Sequence, residues 1–267
     1  MPNSRFANRI AVITGASSGF GLAMTRVFLT EGASVAMIAR NPDRLAQAAA
    51  TLGERALALP CDVADRTGVD AAVAKIIARF GHVDILINNA GSGLIAPFDR
   101  IPIADAVALF QTNFFGAFNF TQAILPHMKQ RRTGHIVNIS SVAGLRGIPN
   151  SSMYCASKAA LIAFSDSLRI ELRDHDIAVT VICPSRTNDT PFVENARKYG
   201  NVELYKVPDG FTTDMVVRAT LGAIVRRKRT VIIPFHAKLL HFLNKFTPGI
   251  VDAYLHKNMP HLDTNLI

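Results

Sequence analysis

The chain has 267 residues, 49% hydrophobic and only 18% charged, which supplies the apolar material for one large-cored α/β domain and excludes a disordered polar chain. Its formal net charge of +9 admits a nucleic acid, an anionic membrane surface or a phosphate-bearing ligand as partner without choosing among them. Three widely spaced cysteines, Cys61, Cys155 and Cys183, lack the paired spacing of a zinc site, so no metal centre is expected and a reducing compartment is.

In chain order, short Val/Ile-rich runs fall at 10–14, 34–39, 56–59, 83–88, 135–139, 178–182 and 230–233. They lack strict alternation, as strands do when helices cover both faces of a parallel sheet. Segments between them, such as 22–30, 43–52, 67–80 and 158–173, repeat apolar residues at three and four and read as helices. The alternation predicts a doubly wound, Rossmann-type α/β fold: a parallel seven-stranded sheet with helices on both faces, in a single domain over 1–267. No linker divides it. The N-terminal stretch enters the first strand without a signal-peptide pattern, and no run approaches about 18 uninterrupted apolar residues. A cytoplasmic protein is expected, with attachment to the inner membrane surface left open.

The first strand ends at Thr14 and passes into Gly15-Ala16-Ser17-Ser18-Gly19-Phe20-Gly21 ahead of a helix. Small residues here let backbone N–H groups and the positive helix end approach a pyrophosphate, although a tight turn with no ligand has the same local pattern. The second strand ends in Ala39-Arg40, where an Asp would bind both ribose hydroxyls of NAD. Without that carboxylate, and with a guanidinium able to pair with a 2′-phosphate, NADP is preferred over NAD.

With Cys61-Asp62-Val63, Asn88-Asn89-Ala90-Gly91, Thr112-Asn113-Phe114-Phe115-Gly116, Val137-Asn138-Ile139-Ser140-Ser141 and Tyr154-Cys155-Ala156-Ser157-Lys158 added in this order, nearly the whole chain resembles the single-domain branch of the short-chain dehydrogenase/reductase family. The resemblance implies that Asp62 and Val63 contact the adenine, that Asn88, Ala90 and Gly91 border the cofactor, and that Asn89 ties the central strands together. One motif departs. The Gly usual after Pro184 is replaced by Ser185, which lacks glycine's access to positive φ. A carboxamide-binding Thr next to Pro184 is therefore either Thr187 or Thr190.

Tyr154 and Lys158, four residues apart at the start of a helix, share one face. A nearby ammonium and a positive nicotinamide ring favour a phenolate, so Tyr154 is expected to move a proton while the nicotinamide moves a hydride. Lys158 would also hold the nicotinamide ribose. Ser141 ends the fifth strand and would steady the substrate oxygen; Ser140 competes, since a period of two turns only one of them to the cleft, and the family's spacing selects Ser141. By the same resemblance Asn113 would hold a water that links Lys158 to solvent.

A substrate-closing segment is expected at 186–210. Its Phe192, Val193, Tyr199, Val202, Leu204 and Tyr205 suggest an apolar carbonyl or alcohol substrate. The run Arg226-Arg227-Lys228-Arg229 reads as a solvated helix end, and with no interleaved aromatics nucleic acid is not expected. At 235–267 an amphipathic helical extension carries apolar residues at 239, 240, 243, 246, 250, 251 and 254, to be buried over the cleft, against another subunit of a homodimer or homotetramer, or in a membrane interface. The competing functions are a cofactor-sensing binding protein and a lipid-modifying reductase at a membrane surface.

Overall fold

The structure, a computed structural model, describes residues 4–200 and 211–258. Val202, Leu204, Tyr205 and the stretch 259–267 lie outside the described residues. The elements run β1 (Ile10–Thr14), α1 (Gly19–Thr30), β2 (Ser34–Ala39), α2 (Pro42–Ala49), β3 (Ala56–Pro60), α3 (Arg66–Phe80), β4 (Ile85–Asn88), β5 (Leu94–Ile95), α4 (Ile103–Phe110) and α5 (Gly116–Arg131). They continue through β6 (Gly134–Ile139), α6 (Ser152–Glu171), β7 (Ile177–Pro184), β8 (Arg197–Lys198), α7 (Thr213–Val225), β9 (Thr230–Ile233), α8 (Phe235–Phe246) and α9 (Pro248–Asn258).

Seven strands form one parallel sheet in the order β3-β2-β1-β4-β6-β7-β9, and β5 pairs with β8 in a separate parallel ribbon. The expected doubly wound fold is present. Strand side chains alternate between two cores. Ile13, Met37 and Ile87 meet Met24, Phe28 and Leu221 from α1 and α7 on one face. Val12, Leu86 and Ile136 meet Val73, Phe120, Ile124 and Leu168 from α3, α5 and α6 on the other. Because each face is covered, residues of both parities are apolar, which accounts for the unbroken Val/Ile runs in the sequence.

Element ends follow local chemistry. At α2 the Asn41 side chain accepts a hydrogen bond from Arg44 N at 2.8 Å and Pro42 occupies the first helical position, so the helix starts one residue before the pattern suggests. Between Val83 and β4, the Asp84 carboxylate accepts from Ile10 N at 2.9 Å and faces Arg9, Arg131 and His82. These partners hold the Asp84 carboxyl below its ordinary range despite its burial. The run Arg226 to Arg229 lies where α7 ends and β9 begins, with Arg227 paired to Asp176, so it sits at the edge of the sheet where strands start.

His135, on β6, is buried and its Nε2 lies 2.8 Å from Thr180 Oγ1. Thr180 gives its one hydroxyl proton to Lys228 O, so His135 Nε2 must be the donor to Thr180. Burial, with help from Arg227, lowers the His135 pKa to about 4 against 6.5 for an unburied imidazole. Between these values the unfolded chain binds the proton and the folded chain does not, so stability is full above 6.5 and is lost as pH falls toward 4. From pH 7 to 5 this one residue is expected to remove about 2 kcal/mol. Urea melts should show that loss reduced in His135→Gln; an identical pH slope in both proteins would refute the assignment.

Candidate active site

The strand order reverses between β1 and β4, where β2 lies on one side of β1 and β4 on the other. Loops leaving the C-terminal ends of these two strands part in opposite directions and open a crevice, the usual ligand position in such sheets. Asn89, just after β4, donates from Nδ2 to Thr14 O at 2.8 Å, while Thr14 Oγ1 accepts from Asn89 N and Ala90 N, both at 2.9 Å. These bonds seat the glycine turn against the β4 loop. Gly15 has φ +67°, and a Cβ there would fall 2.9 Å from Asn89 Nδ2; one on Gly21 would fall 2.2 Å from Gly15 O. Neither position has room for a side chain.

Ser18 precedes α1 and makes no side-chain cap bond, so the first-turn N–H groups of the helix are left to face the crevice beside Ser17, Gly19 and Phe20. At the end of β2, Arg40 is largely exposed and its guanidinium lies 3.8 Å from Asp62. Asp62 also accepts from Ala64 N at 3.0 Å, and Val63 is buried against Gly116. Two residues grouped with the cofactor in the sequence point their side chains inward instead. Thr14 is the tie just described, and Asn88 Nδ2 donates to Asn138 at 2.8 Å and Thr121 at 3.1 Å beneath the sheet. The parity of a strand end decides this, since one residue faces the crevice and its neighbour the packing.

At the end of β6 the two serines divide. Ser140 Oγ donates to Lys158 O at 2.8 Å and is consumed in packing. Ser141 Oγ accepts from Ala143 N at 3.1 Å and lies beside the Tyr154 phenol. Tyr154 sits in the first turn of α6, deep in the cleft but with part of its surface accessible. Burial pushes its phenol up to about 12, a rise that the Ser141 hydroxyl opposes. Lys158, one turn on, is 4% exposed; its ammonium donates to Ile139 O at 2.9 Å and lies 5.9 Å from the centre of the Tyr154 ring. Burial lowers it to about 8. The expected pull of Lys158 toward phenolate is therefore outweighed in the protein itself by the loss of water around the phenol, and Tyr154 holds its proton.

Asn113 lies in a single π turn, Gln111–Phe115, between α4 and α5. Its Oδ1 accepts from Ser92 N at 2.8 Å, and its Nδ2 donates to Ser92 O and to Ser157 Oγ, both at 3.1 Å. It braces the Gly91 loop against α6: a Cβ on Gly91 would be 3.3 Å from Lys158 Nζ and 3.4 Å from Asn113 Oδ1. Its side chain is thus committed to protein partners.

After Pro184, Ser185 keeps a negative φ and its N–H donates to Ile233 O at 2.8 Å, so the serine extends the β7–β9 edge without strain. The two threonines part company further on. Thr187 is buried with its hydroxyl toward the Asp189 carboxylate, while Thr190 lies over the glycine turn, its Cγ2 3.6 Å from where a Gly19 Cβ would be. Sequence reasoning missed how Phe192 meets Tyr154, with ring centres 5.7 Å apart, and how Asp105 at the start of α4 holds both Arg197 and Tyr199. It also missed Arg146, just past Ser141, which binds Asn244 of α8 at 2.7 Å and Asp252 of α9. No local motif marks such long-range pairs.

The model of the short chain dehydrogenase family matches residues 9–200. The chain is 38% identical over 259 residues to the Bos taurus dehydrogenase/reductase SDR family member 7B, covering 91% of this chain and 79% of the relative. It is 36% identical to a fatty acyl-CoA reductase of Acinetobacter baylyi (84% and 75% covered) and 32% identical to the ketoacyl reductase HetN of a Nostoc strain (91% and 87%). Among solved structures, a short-chain dehydrogenase/reductase from Burkholderia phymatum in complex with NAD superimposes with a TM-score of 0.84 at 25% identity, covering 92% of this chain and 96% of that one. From the reversed strand order, the glycine turn and these matches together, the chain belongs to the short-chain dehydrogenase/reductase family of oxidoreductases.

Proposed function

We propose that the protein is an NADP(H)-dependent oxidoreductase that interconverts a carbonyl and an alcohol on an apolar substrate. The observation that carries the reading is the convergence of Ser141, Tyr154 and Lys158 at the cleft, with the phenol protonated and the ammonium buried behind it. Tyr154 hands its proton to a substrate carbonyl oxygen, and the Ser141 hydroxyl holds that oxygen in place. Lys158, fixed by Ile139 O, offers a cation that steadies the phenol as it loses its proton. In the oxidative direction the proton returns along the same path.

A nicotinamide dinucleotide fits the residues present: the uncapped α1 terminus, the glycine turn with no room for a side chain at Gly15 or Gly21, and the Lys158 ammonium beside Gly91. Gly15, Ser17, Ser18, Gly19, Phe20 and Gly21 would hold its pyrophosphate, Arg40 the 2′-phosphate, and Asp62, Val63, Ala90, Gly91, Lys158, Pro184, Thr187 and Thr190 the remainder. When bound, it supplies or accepts the hydride.

The apolar substrate is supported by Phe192 against Tyr154, in a segment we assign as the cleft cover within 186–210. The names of the ketoacyl and fatty acyl-CoA reductases agree with a carbonyl on an acyl chain. Exposed Ile103, Val107 and Phe115 near α4, with Ile170 on α6, support a homo-oligomer. Three free, buried cysteines suit a cytoplasmic compartment.

Two measurements test this. Tyr154→Phe should lower kcat for NADPH oxidation with an acyl-chain ketone by about 10²- to 10⁴-fold while NADPH affinity stays within about twofold; turnover at the wild-type rate would sink the proposal. Arg40→Asp should shift the ratio of NADPH to NADH affinity by about tenfold or more toward NADH, and an unchanged ratio would remove the cofactor assignment.

A further inference from the structure

The C-terminal helices turn the expected burial inside out. In α8 the residues Ala237, Leu240, His241 and Asn244 face the body and are half-buried. Phe235, Leu239, Phe242, Leu243 and Phe246 fall on the opposite side within about 100° of arc at helical spacing, and are between 45% and 77% exposed. Phe242 and Phe246 meet at a tilt with ring centres 5.0 Å apart. In α9 Val251 is buried at 3%, while Ile250 is 69% exposed. The stripe read from the sequence thus splits, and its larger part faces outward.

The charges beside this face have one sign. Lys238 and Lys245, seven residues apart, line one edge of the α8 apolar face, and α9 adds Lys257. The one carboxylate in 235–258 is Asp252, and Arg146 holds it. A second copy meeting this face through its own α8 and α9 would bring the same cations and, among the described residues of those helices, no free counter-charge. An anionic lipid surface brings both an apolar layer for the phenylalanines and negative headgroups for the lysines, whose stems reach outward from beside the apolar face. Twelve residues of helix span about 18 Å, short of a bilayer core, so α8 would lie along a membrane and not cross it.

We propose that α8 is an interfacial helix that docks the protein on an anionic lipid surface through Phe235, Leu239, Phe242, Leu243 and Phe246, with Lys238 and Lys245 on the headgroups. The helix follows β9 directly, so it leaves the same end of the sheet as Ser141 and Tyr154. Arg146 clamps the two helices to the loop just beyond Ser141, which fixes the docking face relative to the cleft. The basic run Arg226 to Arg229, at the other end of the sheet, takes no part.

Sedimentation of the full chain with phosphatidylglycerol-containing and with pure phosphatidylcholine vesicles tests the proposal independently of any turnover. The chain should pellet with the anionic vesicles at low salt and be released by added salt. Binding should weaken about tenfold or more in a Phe242→Ser/Phe246→Ser variant and severalfold in Lys238→Glu/Lys245→Glu. All four positions are exposed, so both variants should melt as the wild type does. Absence of binding to anionic vesicles, or binding that survives the phenylalanine changes, would overturn the proposal. So would a wild-type dimer that dissociates in the Phe242→Ser/Phe246→Ser variant without any vesicle association, which would assign the face to a second copy.

Discussion

Much of the molecule hangs on the contact between Thr14 and Asn89, at the reversal of strand order between β1 and β4, where α1 packs on one face of the sheet and α5 on the other. Backbone and side chain share the contact: the Asn89 amide reaches Thr14 O, and the Thr14 hydroxyl gathers two successive N–H groups. A parallel sheet splays its loops at a reversal of order, and the splay is useful only if its two lips keep their spacing. Here a threonine and an asparagine hold them, with Gly15 and Gly21 allowing the approach. The turn ahead of α1, the Gly91 loop above Lys158 and the end of β6 are all placed relative to this join.

From that frame the electrostatics of the cleft follow. Two groups that are ordinarily well solvated are withdrawn from water side by side, and each drifts toward its neutral form: the phenol keeps its proton more firmly and the ammonium less so. In the proposed function, such a pair trades a proton with a substrate carbonyl or alcohol in the remaining space. The bond from Lys158 to Ile139 O and that from Ser140 to Lys158 O lock α6 to the end of β6, so the distance between Tyr154 and Ser141 is set by backbone and not by loops.

The sheet was readable in the chain because burial on both faces leaves mostly apolar residues in its strands, as in Ile10 to Ile13 and Val35 to Ala39. Helices α4 and α5 were less visible, since a π turn joins them, Pro126 interrupts the second, and Asn119 and Thr121 are buried among its apolar positions. In the site, spacing along one helix made the Tyr154 and Lys158 pair legible. Which face Thr14 and Asn88 present depends on strand parity at the crevice, and a motif does not encode it. The tension at Ser185 dissolves because the backbone there never enters positive φ. The outward apolar face of α8 could not be distinguished from a buried one, because periodicity reports that a stripe exists and not what lies against it.

The short ribbon of β5 and β8 has a consequence for how this protein can change. Arg197 N and Tyr199 N bond to Gly93 O and Ile95 O, and Asp105 grips both side chains, so the chain leaving β7 is stapled to the β4 loop. Past residues 201–210, Asp189 receives both the N–H and the hydroxyl of Thr213, pinning the start of α7. A stretch moored at both ends can be exchanged, lengthened or shortened between its moorings while the sheet register and the Tyr154 geometry stay as they are. Under the proposed function, selectivity can therefore drift with little cost to Tyr154 and Ser141, and the ancestry of the scaffold need not constrain what it comes to accept.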